Sequence, residues 1–132
     1  MKKIIHGIEI TIVSDKKSLS ELAAHVVLEY IQSKSNTITN LLVPTGTSPI
    51  ELYALLSEQR EALKNTRWFN MDEYVLKNMD GSFTFIDPQN ETSYHYYTSQ
   101  HLFKDGFSPE SHFPGIENIS HPGTYDRQIQ AL

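Results

Sequence analysis

Residues 41–49, Leu-Leu-Val-Pro-Thr-Gly-Thr-Ser-Pro, constrain the fold more than any other stretch of the chain. An apolar run ends in a Gly and hydroxyl loop that then opens a helix. Leu41, Leu42 and Val43 read as the last buried residues of a strand. Ser48 suits an N-cap, Pro49 the first helical position, and Glu51 would complete a capping box with Ser48. Such a loop presents backbone N–H groups and the hydroxyls of Thr45, Thr47 and Ser48 to whatever sits over the helix N-terminus. That geometry attracts an anion, most naturally a phosphate. An ordinary strand–turn–helix joint carries the same local pattern, so the stretch alone leaves both open.

The flanking sequence repeats the strand–helix alternation. Ile8, Ile10 and Ile12 alternate with Glu9 and Thr11, a strand period. Ser18 and Glu21 spell a second capping box, followed by Leu19, Leu22, Ala23, Val26, Val27 and Tyr30 at helical spacing. Asn36 punctuates, and Ile38–Val43 forms the next strand. The helix after Pro49 is expected to run to about Leu63. Asn65 ends it, and Arg67–Met71 forms a third apolar strand closing on Asp72-Glu73-Tyr74. This order predicts an α/β fold: a Rossmann-like three-layer α/β/α arrangement with a mostly parallel sheet. Beyond it, Leu76–Gln89 reads as a long surface loop, Asn90–Lys104 as a helix, Phe107–Pro114 as irregular, and Tyr125–Leu132 as the start of a further helix.

Length and composition narrow the function. At 132 residues the chain makes one domain, residues 1–132, long enough to bury a core. Apolar residues make up 39% and charged residues 20%, as in a globular protein. No apolar run approaches the ~18 residues of a membrane span, and the start of the chain, broken by His6, Gly7 and Glu9, is too polar for a signal peptide. With no Cys, thiolate chemistry and disulfides are excluded, which fits a cytoplasmic location. A formal net charge of −5 argues against nucleic acid as a partner but not against a small phosphorylated ligand.

In parallel α/β sheets ligands bind at the carboxyl ends of the strands. Two such ends carry chemistry here, the Thr45–Ser48 loop and the Asp72-Glu73 pair. A carboxylate beside the loop could serve as general base on a proton next to a carbonyl; equally, Asp72 or Glu73 could simply cap the following turn. The six histidines show no metal-ligand spacing, so no metal is expected. The Tyr94–Tyr97 cluster reads as packing. Neither a dinucleotide nor a nucleoside triphosphate motif occurs.

Pro44-Thr45-Gly46-Thr47-Ser48-Pro49 and Phe69-Asn70-Met71-Asp72-Glu73-Tyr74-Val75 together resemble the glucosamine-6-phosphate deaminase (isomerase) family. Glu91-Thr92-Ser93-Tyr94-His95, similar to that family's Pro-x-Ser-Tyr helix start, and Tyr125-Asp126 add to the resemblance, which runs along essentially the whole chain. It implies conversion of glucosamine 6-phosphate to fructose 6-phosphate and ammonia without a cofactor. By position, Thr45, Gly46, Thr47 and Ser48 would hold the phosphate of a small phosphorylated amino sugar, and Asp72 would move a proton between C1 and C2. Asp72 suits that task only if its proton affinity is lifted, as partial burial under the substrate would do.

The family's pattern also includes a downstream Asp-Gly-His segment. The Asp-Gly pairs here, Asp80-Gly81 and Asp105-Gly106, precede Ser82 and Phe107. The chain is therefore expected to be the N-terminal half of such an enzyme, catalytically incomplete, with an uncovered sheet edge that favours self-association or a homo-oligomer. Two alternatives stand beside this. A 6-phosphogluconolactonase-like hydrolase shares the loop but favours Asp-Glu-Arg where this chain has Asp72-Glu73-Tyr74. A non-catalytic sugar-phosphate-binding fragment needs only the loop.

Overall fold

The computed structural model describes residues 1–34, 37–104, 107–121 and 123–131. Its centre is a three-stranded parallel sheet of β3 (Thr39–Val43), β4 (Thr66–Asn70) and β7 (Glu110–His112), in the order β3-β4-β7. Alternation along β4 decides which layer each residue feeds. Trp68 faces α1 (Lys16–Ser33), α2 (Ile50–Ser57) and α3 (Tyr94–His101), in a core with Ala24, Ile31, Tyr53, Leu56, Leu63 and Leu102. Phe69 turns the other way, stacking on His112 at 4.6 Å and meeting Tyr125 of α5 (Thr124–Gln130) at 6.4 Å. Helices therefore lie on both faces of a parallel sheet, as expected.

Trp68 is 1% exposed, and its indole N–H donates to Thr66 Oγ1 at 2.7 Å, so the ring is buried without an orphaned donor. Thr66 Oγ1 in turn donates to the Leu63 carbonyl. This chain of bonds ties the start of β4 to the turn that follows α2.

Several expectations are corrected. Residues 8–11 form β2, which pairs antiparallel with β1 (Lys2–Ile5) rather than joining the parallel sheet. His6 and Gly7, at φ 50° and 81°, make the two-residue turn whose twist suits a hairpin. Every residue of both strands is exposed, so the alternation of Ile8 and Ile10 reports a hairpin and not a buried strand.

The first long helix begins at Lys16. Asp15, not Ser18, is its cap, accepting the Ser18 N–H at 2.7 Å. Its inward face runs through Ser20, Ala24, Val27, Leu28 and Ile31, leaving Leu19, Val26 and Tyr30 exposed. The helix after Pro49 stops at Ser57, and residues 58–65 are turns that bury Leu63.

The expected loop at 76–89 contains an antiparallel hairpin of β5 (Val75–Lys77) and β6 (Phe83–Phe85), turned at Asp80-Gly81. Asp80 accepts from the Ser82 N–H and hydroxyl, which makes the turn local and polar. Residues 110–112, expected to be irregular, form β7 beside β4, and α4 (Ile116–Ser120) precedes α5. The helix expected over residues 90–104 is confined to α3. Asn36, Asp105-Gly106 and Leu132 lie outside the described residues.

Candidate functional site

β3 and β4 are adjacent, parallel and in step: Val43 pairs with Asn70, so Thr45 and Asp72 leave the sheet two residues beyond the same rung. Neighbouring strands lie about 4.8 Å apart. The two segments singled out in the sequence therefore emerge side by side at the carboxyl edge.

The loop after β3 is shaped from below by two phenols. The Tyr53 hydroxyl, from α2, donates to the Pro44 carbonyl; the Tyr97 hydroxyl, from α3, donates to the Gly46 carbonyl. The two rings meet edge to face at 6.4 Å. Gly46 sits at φ +114°, a conformation that a side chain would strain, with open space where a Cβ would stand. Thr45 is half-buried, while Gly46, Thr47 and Ser48 are exposed. Among the described hydrogen bonds, the N–H groups of residues 45–48 have no backbone or side-chain acceptor.

The expected Ser48–Glu51 capping box does not form. Pro49 occupies the cap position of α2 and supplies no side-chain acceptor. Glu51 turns instead toward Ser20 Oγ at 3.3 Å and Lys16 at 3.6 Å. The first N–H groups of α2 are therefore left without a side-chain cap, while the Glu51 carboxylate in the same turn partly offsets the positive end of the helix. Lys16 adds a cation nearby, its Nζ lying 3.4 Å from the Thr47 carbonyl.

At the β4 tip the two carboxylates differ. Glu73 accepts from the N–H groups of Tyr74 at 2.9 Å, Tyr94 at 2.9 Å and His95 at 2.8 Å, and from Ser93 Oγ at 2.7 Å. Burial raises its proton affinity, but these four donors outweigh it and hold the carboxyl below its ordinary value. Glu73 is thus the anchor between β4 and the N-terminus of α3, with the helix dipole in its favour. A capping role was one alternative for this residue, and the helix it caps lies twenty residues away. Asp72 is exposed.

Tyr94 packs at the β4 tip. Its phenol lies 3.1 Å from that of Tyr74, and the rings are tilted at 4.8 Å. The hydroxyl is held above its ordinary pKa first by that hydrogen bond, then by desolvation and by the charges of Tyr74 and Asp72, while the Thr45 side chain acts in the opposite direction. Asp72 also lines a groove of about 360 Å³ with Met71, Phe85, Pro114 and Tyr125, which residues 45–48 do not line.

The last residue of β4, Asn70, is 2% exposed. Its Oδ1 accepts from Thr98 of α3 at 3.0 Å, and its Nδ2 has no partner among the described residues. His95 and His101 have different neighbours: His95 stacks on Phe113 and His101 lies against Tyr97. Burial lowers the pKa of His95. Among the described residues no group of three or more potential ligands could hold a metal ion. No described helix is long and apolar enough to cross a membrane.

Tyr53 and Lys16 are not singled out by sequence, and Tyr97, read there only as packing, also holds the Gly46 carbonyl. Tyr53 reads as one apolar residue in a helix and Lys16 as one surface charge. Only the packing of α1, α2 and α3 around one loop distinguishes them.

No protein-family model matches the chain. Curated sequences do. A glucosamine-6-phosphate deaminase of Pseudoalteromonas translucida is 28% identical over 94% of this chain and 46% of its own length. That of Bacillus velezensis is 29% identical over 88% of this chain and 47% of its own. That of Clostridium botulinum (strain Eklund 17B) is 34% identical over 72% of this chain and 35% of its own. The chain thus spans about half the length, or less, of these curated relatives. Among solved structures, a 6-phosphogluconolactonase from Shewanella baltica superposes with a TM-score of 0.59 at 17% identity, over 90% of this chain and 48% of that one, which shows a shared fold. The chain is a homologue of proteins named glucosamine-6-phosphate deaminase, built on the Rossmann-like fold.

Proposed function

We infer that this chain is the N-terminal, phosphate-gripping portion of an amino-sugar-phosphate deaminase/isomerase that converts glucosamine 6-phosphate and water to fructose 6-phosphate and ammonia. The observation that carries this is the in-step emergence of Thr45 and Asp72 from adjacent parallel strands, in a chain whose curated relatives bear that enzyme's name. The amides and hydroxyls of Thr45, Gly46, Thr47 and Ser48, at the uncapped start of α2, bind the phosphate. Asp72 takes the C2 proton of the ring-opened sugar and returns it to C1 through an enol-type intermediate. The resulting C2 imine then adds water and releases ammonia. Because Asp72 is exposed in the free chain, the substrate itself must cover it on binding.

The chain alone binds sugar phosphate weakly and turns over little, since Ser82 and Phe107, not His, follow the Asp-Gly pairs it contains. The reading further places the protein in the cytoplasm, with no nucleic-acid partner. It also predicts self-association through exposed apolar residues of the edge strand β3 and of α1, such as Leu42, Leu19 and Val26, which are 52%, 54% and 55% exposed.

The test follows ammonia and fructose 6-phosphate release from this chain and from a longer protein containing it, each beside Asp72→Asn. Activity of the longer protein that survives Asp72→Asn removes the base assignment. The shared fold with a lactonase keeps a second reading in view; lactone hydrolysis without ammonia release would favour it. Binding without turnover in either protein would favour a sugar-phosphate-binding module.

A further inference from the structure

Resting on the anion-loop reading above, we propose that Tyr53 and Tyr97 are positioning residues for that loop: their hydroxyls hold the Pro44 and Gly46 carbonyls away from the anion, so that the N–H groups of Thr45 and Thr47, opposite those carbonyls in the same trans peptide units, face it. A loop of peptide units carries as many carbonyl oxygens as N–H groups, and any carbonyl turned toward a phosphate repels it. Here alternate carbonyls are taken by phenols from two different helices, while the N–H groups of residues 45–48 have no acceptor among the described hydrogen bonds. The phenols are fixed from outside the loop. Tyr53 is 2% exposed within the core, and Tyr97 packs edge to face on it and also against His101. Burial raises the pKa of both, so both remain protonated donors. Gly46, whose carbonyl is the second tethered point, supplies the backbone conformation that this division needs.

Phenylalanine removes each hydroxyl and keeps each ring, which isolates the tether from the packing. Binding of inorganic phosphate and of glucosamine 6-phosphate would be titrated against the full 132-residue chain, its Tyr97→Phe and Tyr53→Phe variants and the double variant, with melting temperatures measured beside them. The expected result is a loss of affinity of about threefold to tenfold per hydroxyl for both ligands, the size of one hydrogen bond's net contribution. Thermal unfolding of the ligand-free Tyr97→Phe chain should change little. Should Tyr53→Phe unfold the chain, Tyr97→Phe decides the matter alone. Unchanged affinity in Tyr97→Phe, with the parent chain binding both ligands, overturns the positioning role and leaves the functional reading standing. A lower melting temperature with unchanged affinity means the hydroxyl only stabilises the fold, and also overturns it. A parent chain that binds neither ligand overturns the functional reading and this inference together.

Discussion

The tips of β3 and β4 solve one problem in opposite ways. After β3 the polar groups are main-chain: two carbonyls are tied by phenols, and the N–H groups of residues 45–48 have no acceptor among the described hydrogen bonds. After β4 the polar groups are side-chain carboxylates: Glu73 is saturated by four donors from its own turn and α3, and Asp72 beside it stays exposed. In each case one group is consumed by the architecture and its neighbour is left for a ligand. Proximity in sequence to a strand end is therefore a poor guide to role. The saturation of hydrogen-bonding capacity separates anchor from candidate base.

The contrast between Asp72 and Glu73 makes the largest prediction. In a longer, active protein Asp72→Asn should lower turnover about 10²–10⁴-fold, the usual size of a lost general base, while its melting curve stays within about 0.5 kcal/mol of the parent. Glu73→Ala should do the reverse to the fold: chemical denaturation of the 132-residue chain should show a loss of about 2 kcal/mol, because three N–H groups and a hydroxyl lose a charged acceptor. Equal destabilisation by the two substitutions would erase the distinction drawn between them.

Acid sharpens the same contrast. The folded Glu73 carboxyl has a depressed pKa, so its stabilisation is complete above the ordinary value of 4.5 and is lost as pH falls through the folded value. Asp15, Asp80 and Glu110 are depressed as well, so melting temperature should fall on acidification below about pH 4.5, and Glu73→Gln should flatten part of that fall. An unchanged acid profile in Glu73→Gln would mean the four contacts do not favour the charged form.

Smaller still is Gly46→Ala. The Cβ would meet no atom, so only the φ of +114° opposes it, and about 1–2 kcal/mol of stability should be lost. The smallest effect is expected in the first hairpin, where Ile8→Ser should move stability by less than about 0.5 kcal/mol, since the side chain is 66% exposed. A large loss there would show that the hairpin packs against something.

β3, β4 and the helix between them were legible because the hydrophobic period and the Pro, Gly and Asn punctuation agreed over residues 38–70. The two site segments were legible because ligands gather at the carboxyl ends of such strands. What escaped has physical causes. Neither Ser18 nor Ser48 became a cap, because Asp15 lies three residues before one and Pro49 follows the other directly, and the backbone entered each helix elsewhere. Residues 75–85 and 110–112 are short strands with mostly exposed side chains; with little burial there is no alternation to read. The Glu73 clamp joins positions twenty residues apart, and the phenol tethers join positions nine and fifty-one apart. Only tertiary packing reveals such pairs.

The central claim is that the two tips form one binding site. Backbone amide NMR of the 132-residue chain, titrated with glucosamine 6-phosphate, tests it most directly. The account predicts that the amides of Thr45–Ser48 and of Met71–Glu73 shift together along a single binding curve. Shifts at one tip with none at the other, or a response confined to other parts of the chain, would contradict it.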